Sequence, residues 1–212
     1  MIPKYINVPN GLFNYGVVMN LTKGEKTRAR ILRSAMMLIN TRGYTNTSIN
    51  DIIESSGVQK GNLYFHFSSK DDLCLALIEE AKKEFLAYLK GAMKSDDPLG
   101  KINDILDAIL LRHRKMNFIG GCIFGNMALE MTDINSRFPT VIKEVFHEWE
   151  ELLAILLQEA QGCGDLDDEL DPDSLAGFIV ASIEGAIMMA KVSKEEDDLV
   201  NCMDMIRRML RL

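Results

Sequence analysis

Residues 47–70 read TSINDIIESSGVQKGNLYFHFSSK, and the punctuation of this stretch decides the fold. Ser48-Ile49-Asn50-Asp51 has the S-x-x-D form of a capping box, which predicts a helix start at Ser48. Ile49, Ile52 and Ile53 give that helix one apolar edge. Gly57 follows within about two turns and can take the left-handed conformation that ends a helix. Val58 then plugs a tight turn, and a second short helix is predicted over 59–65. Leu63 and Phe67 face inward on this reading, leaving Lys60, Asn62, Tyr64 and His66 outside. Ser69-Lys70-Asp71-Asp72 starts a third helix, with Ser69 as cap and two carboxylates on its positive end. Two short helices joined by a glycine turn, the second carrying cationic and hydrogen-bonding side chains, have the layout of a helix-turn-helix DNA reader.

The string Gly57-Val58-x-Lys60-Gly61-x-Leu63-Tyr64-x-His66-Phe67-x-x-Lys70-x-x-Leu73 resembles the signature of TetR-family transcriptional regulators, and the resemblance extends over roughly residues 25–73. One position departs from it: the family usually has a Ser or Thr cap where this chain has Gln59, which weakens that helix start. The resemblance implies that the polar tips of Tyr64, His66 and Lys70 rest on DNA phosphates; Lys60 is expected to join them, and Gln59, Lys60 and Asn62 to approach base edges. Ser48 and Gly61 complete the expected DNA-binding set. Phe67 and Leu63 are read as core.

Charge is distributed to match. The whole chain carries a net −7, but residues 1–70 hold nine Lys/Arg against three acids, so they stand at +6 and the remainder at −13. A basic head on an acidic body suits a protein whose head docks on phosphate and whose body must not. At 212 residues and 47% hydrophobic content the chain can bury a sizeable core. Residues 1–22 show no helical period and are too weakly apolar for a signal peptide. They are expected to be an extension, with a DNA-touching arm as the alternative. The expected organisation is this extension, a DNA-binding head over 23–70, and a ligand-binding and dimerisation body over 71–212.

The rest of the chain reads as helix. Residues 25–42 place Ile31, Leu32, Ala35, Leu38 and Ile39 on one face, with Lys26, Arg30 and Arg33 on the other. A long helix follows over 71–93. Pro98 opens the next, and Pro172 opens another. About nine helices and no strand pattern make the fold all-α: a three-helix head and a larger helical body. The stretch from Cys122, CIFGNMALEM, resembles a motif of one branch of TetR-like regulators, Gly-Cys-x-x-Gly-Asn-x-Ala-x-Glu.

Residues 175–191 are apolar on every side, which predicts burial on every side. They are too short, and too interrupted by Glu184, to read as a membrane span. Two-sided burial at the edge of a small domain points to a subunit interface. The family dimerises through its last two long helices, which implies Ile179, Ile183, Ala186, Ile187, Met203, Ile206 and Leu210 between subunits of a homodimer.

Chemistry beyond DNA binding is thin. The four cysteines show no zinc spacing, the histidines are scattered, and no catalytic set, metal or cofactor is expected. With no signal peptide, a reducing cytoplasm is expected. The body exceeds what dimerisation requires and is rich in Met and Phe, which suits a pocket for a small apolar or amphipathic effector. Phe118, Cys122, Phe124, Asn126, Met127, Glu130, Met131, Phe178 and Glu184 are its candidate lining. The expected function is a ligand-responsive regulator, a repressor that leaves double-stranded operator DNA when effector binds. The alternatives are a ligand-independent DNA-organising protein and a thiol-switched sensor through Cys122.

Overall fold

A computed structural model describes residues 22–212; the readings of residues 1–21 lie outside them. The described residues form nine α-helices and no strand. They divide into two compact units, with the boundary between Glu84 and Phe85. That boundary falls inside one continuous helix, α4 (Lys70–Ala92).

The first unit holds α1 (Lys23–Arg42), α2 (Ile49–Ser56), α3 (Lys60–His66) and the beginning of α4. Each start has a local cause. Thr22 and Glu25 form a reciprocal capping box on α1, and Ser48 and Asp51 form another on α2. Ser69 Oγ accepts from Asp72 N at 3.0 Å at the head of α4. Gly57, at φ 63°, closes α2 in the left-handed region, where a side chain would be strained. Gln59 precedes α3 with no side-chain cap bond, as its residue type predicts. Ile31, Leu32, Ala35, Ile39, Ile52, Val58, Leu63 and Phe67 make the core. Burying each large side chain contributes roughly 1.5–3 kcal/mol. Truncating one, such as Leu63→Ala, removes about 2–5 kcal/mol from a small core.

The second unit holds the end of α4 with α5 (Pro98–Lys115), α6 (Ile123–Met131), α7 (Phe138–Cys163), α8 (Pro172–Ser193) and α9 (Asp197–Leu210). Proline stands at the first turn of α5, α7 and α8, where its missing N–H costs nothing. Asp97 and Asp171 cap α5 and α8 through bonds to Gly100 N and Ser174 N. The helix α7 packs on α5, α6 and α8, and α9 packs on α8 and α5. Phe138, Trp149, Leu153, Leu157, Ile179, Ile183, Leu199 and Met203 are almost fully enclosed. Arg207 of α9 reaches Asn103 Oδ1 at 2.8 Å and Asp107 Oδ1 at 2.7 Å on α5.

In one chain, α8 is covered on one side only. At 22 residues the helix is longer than its apolar run, and it has the length and hydropathy to cross a membrane. One side, however, is packed on α7 and α9, and Glu184 sits at its middle, the arrangement of a core helix. Burial on every side does not occur within one chain. Phe178 is 56% exposed and Val192 78% exposed, on the side left open.

Candidate nucleic-acid interface and interior polar site

In the first unit, α3 presents Lys60, Gly61, Asn62, Tyr64 and Phe65 to solvent, and Gln59 before it is exposed as well. Tyr64 was expected outside. Phe65, 84% exposed, was not expected to offer its ring to a partner. Its only signal in the sequence is its place next to Tyr64 on a helix too short to bury both. Lys60 Nζ stands 6.0 Å from the Tyr64 ring centre. His66 is half-buried, edge-on to the Phe65 ring at 5.2 Å. Arg28 of α1 lies over Phe67 at 5.5 Å, while Lys26, Arg30 and Arg33 are exposed along α1.

Gly61 is informative. A Cβ built on it meets nothing within 4 Å, and its φ is ordinary for a helix. Neither packing nor backbone geometry within the chain requires glycine there, although glycine costs a helix about 1 kcal/mol relative to alanine. A residue that is unfavourable for its own helix and unneeded by its neighbours fits a surface approached closely from outside.

Two expected DNA contacts are engaged within the unit. Lys70 Nζ donates to the Tyr44 carbonyl at 2.5 Å and stands 3.9 Å from the Tyr44 ring centre. The Tyr44 hydroxyl donates to Asp71. Lys70 therefore ties the α1–α2 loop to α4. Ser48 Oγ takes part in the α2 capping box, at 2.5 Å from Asp51 Oδ2. That bond, with the one from the Ser48 backbone N–H, holds the Asp51 carboxyl below the usual range.

The interior of the second unit carries polar residues among its apolar core. Here Cys122 meets Glu184, Asn126 meets Lys191, and Phe124 meets the ring of Phe85, which in turn meets Trp149. Cys122 stands at the N-terminus of α6, and its thiol donates to the Glu184 carboxylate. A Cβ on Gly125 would lie 2.6 Å from Glu184 Oε2, so glycine is what lets the carboxyl approach α6. The other oxygen, Oε1, has no exposed surface and no hydrogen-bond partner. Whatever surface Glu184 keeps is elsewhere on the residue. Burial pushes the carboxyl up to about 7, against a smaller downward pull from the Cys122 thiol. Burial also raises the thiol well above its usual range, and the Glu184 carboxylate adds to the effect. A thiol held protonated is a poor nucleophile, so this geometry works against a thiol switch at Cys122.

Beside this pair, Asn126 Nδ2 donates to the Gly120 carbonyl at 2.7 Å and its Oδ1 accepts from Lys191 Nζ at 2.9 Å. These bonds brace a tight loop in which Asn117, Phe118, Gly120 and Gly121 all have positive φ. For a bulky residue such as Phe118 that conformation costs about 1–3 kcal/mol. Lys194 Nζ reaches the Phe118 carbonyl at 3.5 Å. The ring of Phe85 lies 5.8 Å from Phe124 and 5.1 Å, edge-on, from Trp149. Trp149 Nε1 is buried without a hydrogen-bond partner.

The remaining expected lining residues scatter. Met127 and Met131 are enclosed, Phe118 is buried in the tight loop, and Glu130 is part-buried on α6. Phe178 does not join the site. It points outward from α8.

The residues expected between subunits lie in the interior of one chain. Ile179, Ile183, Ala186, Ile187, Met203, Ile206 and Leu210 are all buried within a single chain, none more than 8% exposed. Side chains already covered by their own chain have no apolar surface left for a partner. The outward apolar positions are Phe178, Ala181, Met188 and Val192 on α8, spaced three, seven and four residues apart, and Met205, Met209 and Leu212 at the end of the chain. An all-round apolar helix has no phase from which to read this.

Family matches agree with the architecture. Residues 31–77 match bacterial regulatory proteins, tetR family, and residues 98–206 match the tetracyclin repressor-like C-terminal domain. An uncharacterized HTH-type transcriptional regulator in the lacX 3' region of Lactococcus lactis is 30% identical over 185 residues, covering 86% of this chain and 92% of its own. The transcriptional regulator AcuR of Cereibacter sphaeroides is 31% identical over 174 residues, covering 80% and 78%. Among solved structures, regulatory protein TetR from Rhodobacter sphaeroides superposes with a TM-score of 0.82 at 29% identity, over 86% of this chain and 98% of that one. The chain belongs to the TetR family. It is a DNA-binding transcriptional regulator, all-α, with a helix-turn-helix head and a helical C-terminal body.

Proposed function

We propose that this regulator is a homodimeric repressor that leaves its operator when a small amphipathic molecule binds inside the second unit. The observation that carries the reading is the pair of buried polar atoms without partners there, Glu184 Oε1 and Trp149 Nε1. A core built only to dimerise gains nothing from such atoms, each of which costs about 1–3 kcal/mol when left unpaired. A core that must accept a polar ligand needs them. The DNA arm of the reading rests on exposed α3, with Asn62 and Gln59 toward bases and Lys60 and Tyr64 toward phosphates. Two such heads in a dimer would read half-sites related by the protein's two-fold axis. Effector binding can release DNA only if it favours a conformation in which the heads no longer match that spacing.

The test begins with operator fragments selected from random DNA by the purified protein. Gel-shift titrations with and without small-molecule extract then report the response. Selective binding that extract abolishes supports the reading. Binding that no extract fraction changes would favour the ligand-independent DNA-organising alternative.

A further inference from the structure

Glu184 is the one carboxylate in the second unit whose buried oxygen has no hydrogen-bond partner among the described residues. Among the described residues nothing cationic balances it. The influences on its proton affinity are burial and the Cys122 thiol, and no lysine or arginine contributes. Lys191, on the same helix, is directed instead to Asn126 Oδ1 at 2.9 Å. An isolated carboxylate in an apolar interior is costly unless a positive group pairs with it.

Its surroundings suit such a group. Gly125 admits the carboxyl against α6, and the preceding residue, Phe124, belongs to the aromatic cluster with Phe85 and Trp149. Aromatic faces attract cations through the ring quadrupole. Trp149 Nε1, within the same unit, is also buried without a hydrogen-bond partner. The second unit, residues 85–212, holds 13 Lys/Arg against 23 Asp/Glu, a net −10 that draws cations toward it and repels anions.

We propose that Glu184 is the charge anchor of a binding site for a small organic cation, an ammonium group on a short apolar body, held against α6 and α8 beside the Phe85–Phe124–Trp149 cluster. The inference rests on the ligand-responsive reading above and assigns the chemical class of its effector. The carboxylate takes the ammonium as a charge-assisted hydrogen bond, and the rings cover the apolar body.

Three probes that differ only in the polar end test it: hexylammonium, hexanol and hexanoate, titrated calorimetrically into the full-length protein. Hexylammonium should bind about tenfold tighter than hexanol, the scale of one charge-assisted hydrogen bond, and hexanoate should not bind. Glu184→Gln, which keeps side-chain size, should bring hexylammonium and hexanol within about twofold of each other. Trp149→Phe, with circular dichroism as the folding control, should preserve the order of the two. Equal binding of hexanoate, binding of none of the three, or an unchanged amine preference in Glu184→Gln would overturn the proposal. So would an ordered water on Glu184 Oε1 that persists in crystals soaked with hexylammonium. The same samples are assayed on operator DNA. Amine binding without DNA release keeps the anchor and sinks the ligand-response reading. Release by extract with no amine binding does the reverse.

Discussion

Gly125 of α6 and Glu184 of α8 are matched in size: a methyl group on the glycine would stand 2.6 Å from Glu184 Oε2. The expected result of Gly125→Ala is a displaced carboxyl, a broken bond to Cys122 and a loss of about 1–3 kcal/mol. Glu184→Ala should remove the clash, so the double variant should be more stable than the two single losses sum to. Urea denaturation of all four proteins measures that coupling. Strictly additive losses would show that the two residues do not constrain each other.

Gly61 should respond with opposite signs in two assays. Gly61→Ala meets no neighbour in the chain and should stabilise the head by roughly 0.5–1 kcal/mol through helix propensity. On DNA the added methyl should weaken binding by about tenfold, the cost of one overpacked group. Thermal denaturation and gel shift on the same preparation decide. Unchanged DNA affinity would remove α3 at Gly61 from the close-contact surface.

Lys70→Ala and Asn62→Ala should separate cleanly. Lys70 bonds the Tyr44 carbonyl, so its loss should lower the stability of the head by about 1 kcal/mol. Its effect on the salt dependence of DNA binding should be small. Asn62 is exposed, and its loss should leave stability unchanged while relaxing preference at one base pair by roughly 1–3 kcal/mol. A Lys70→Ala protein of full stability that loses one unit of salt slope would return Lys70 to the phosphate contacts.

The outward stripe predicts oligomeric state. Met188→Glu and Met205→Glu place charges on positions 52% and 61% exposed in one chain, so each variant should fold with normal helicity yet run as a monomer in light scattering. Ile183→Glu, buried at 0% exposure, should instead unfold the second unit. A dimeric Met188→Glu protein would move the interface off this face.

Two buried groups should oppose each other as pH changes. Burial, with Arg112 nearby, holds His113 down to about 4 from 6.5. Its stability contribution is therefore complete above pH 6.5 and is lost as pH falls toward 4. Glu184 is raised from 4.5 to about 7; stability from its protonated form is complete below pH 4.5 and is lost as pH rises through 7. Between pH 4.5 and 6.5 the two slopes cancel. Glu184→Gln should unmask the histidine, making the protein lose about 1 kcal/mol per unit of acidification in that window. Urea midpoints at pH 5 and pH 7 read the difference, and equal midpoints in the variant would show that His113 titrates normally.

The helix-turn-helix was legible because every cue that builds it is local. Ser48 and Asp51, Gly57, and the alternation of Leu63 and Phe67 with exposed neighbours act within one or two turns, where propensity and capping speak directly. The head's basic charge followed from counting by region, and the body's helices from their prolines and periods. Other features were settled only when distant segments met. α8 is apolar around its whole circumference, so its pattern carries no phase, and only packing on α7 and α9 decided that Ile183 turns inward and Met188 outward. Lys70 looked free for phosphate because Tyr44, its partner, belongs to another helix's loop. Glu184 could be marked as a polar residue in apolar company, but its chemistry depends on Cys122 and Gly125 at the start of α6, neither of which is local to α8. Local physics determined the elements and the DNA-reading head; tertiary contact determined which side chains remain unpaired in the interior, because pairing is a property of neighbours in space.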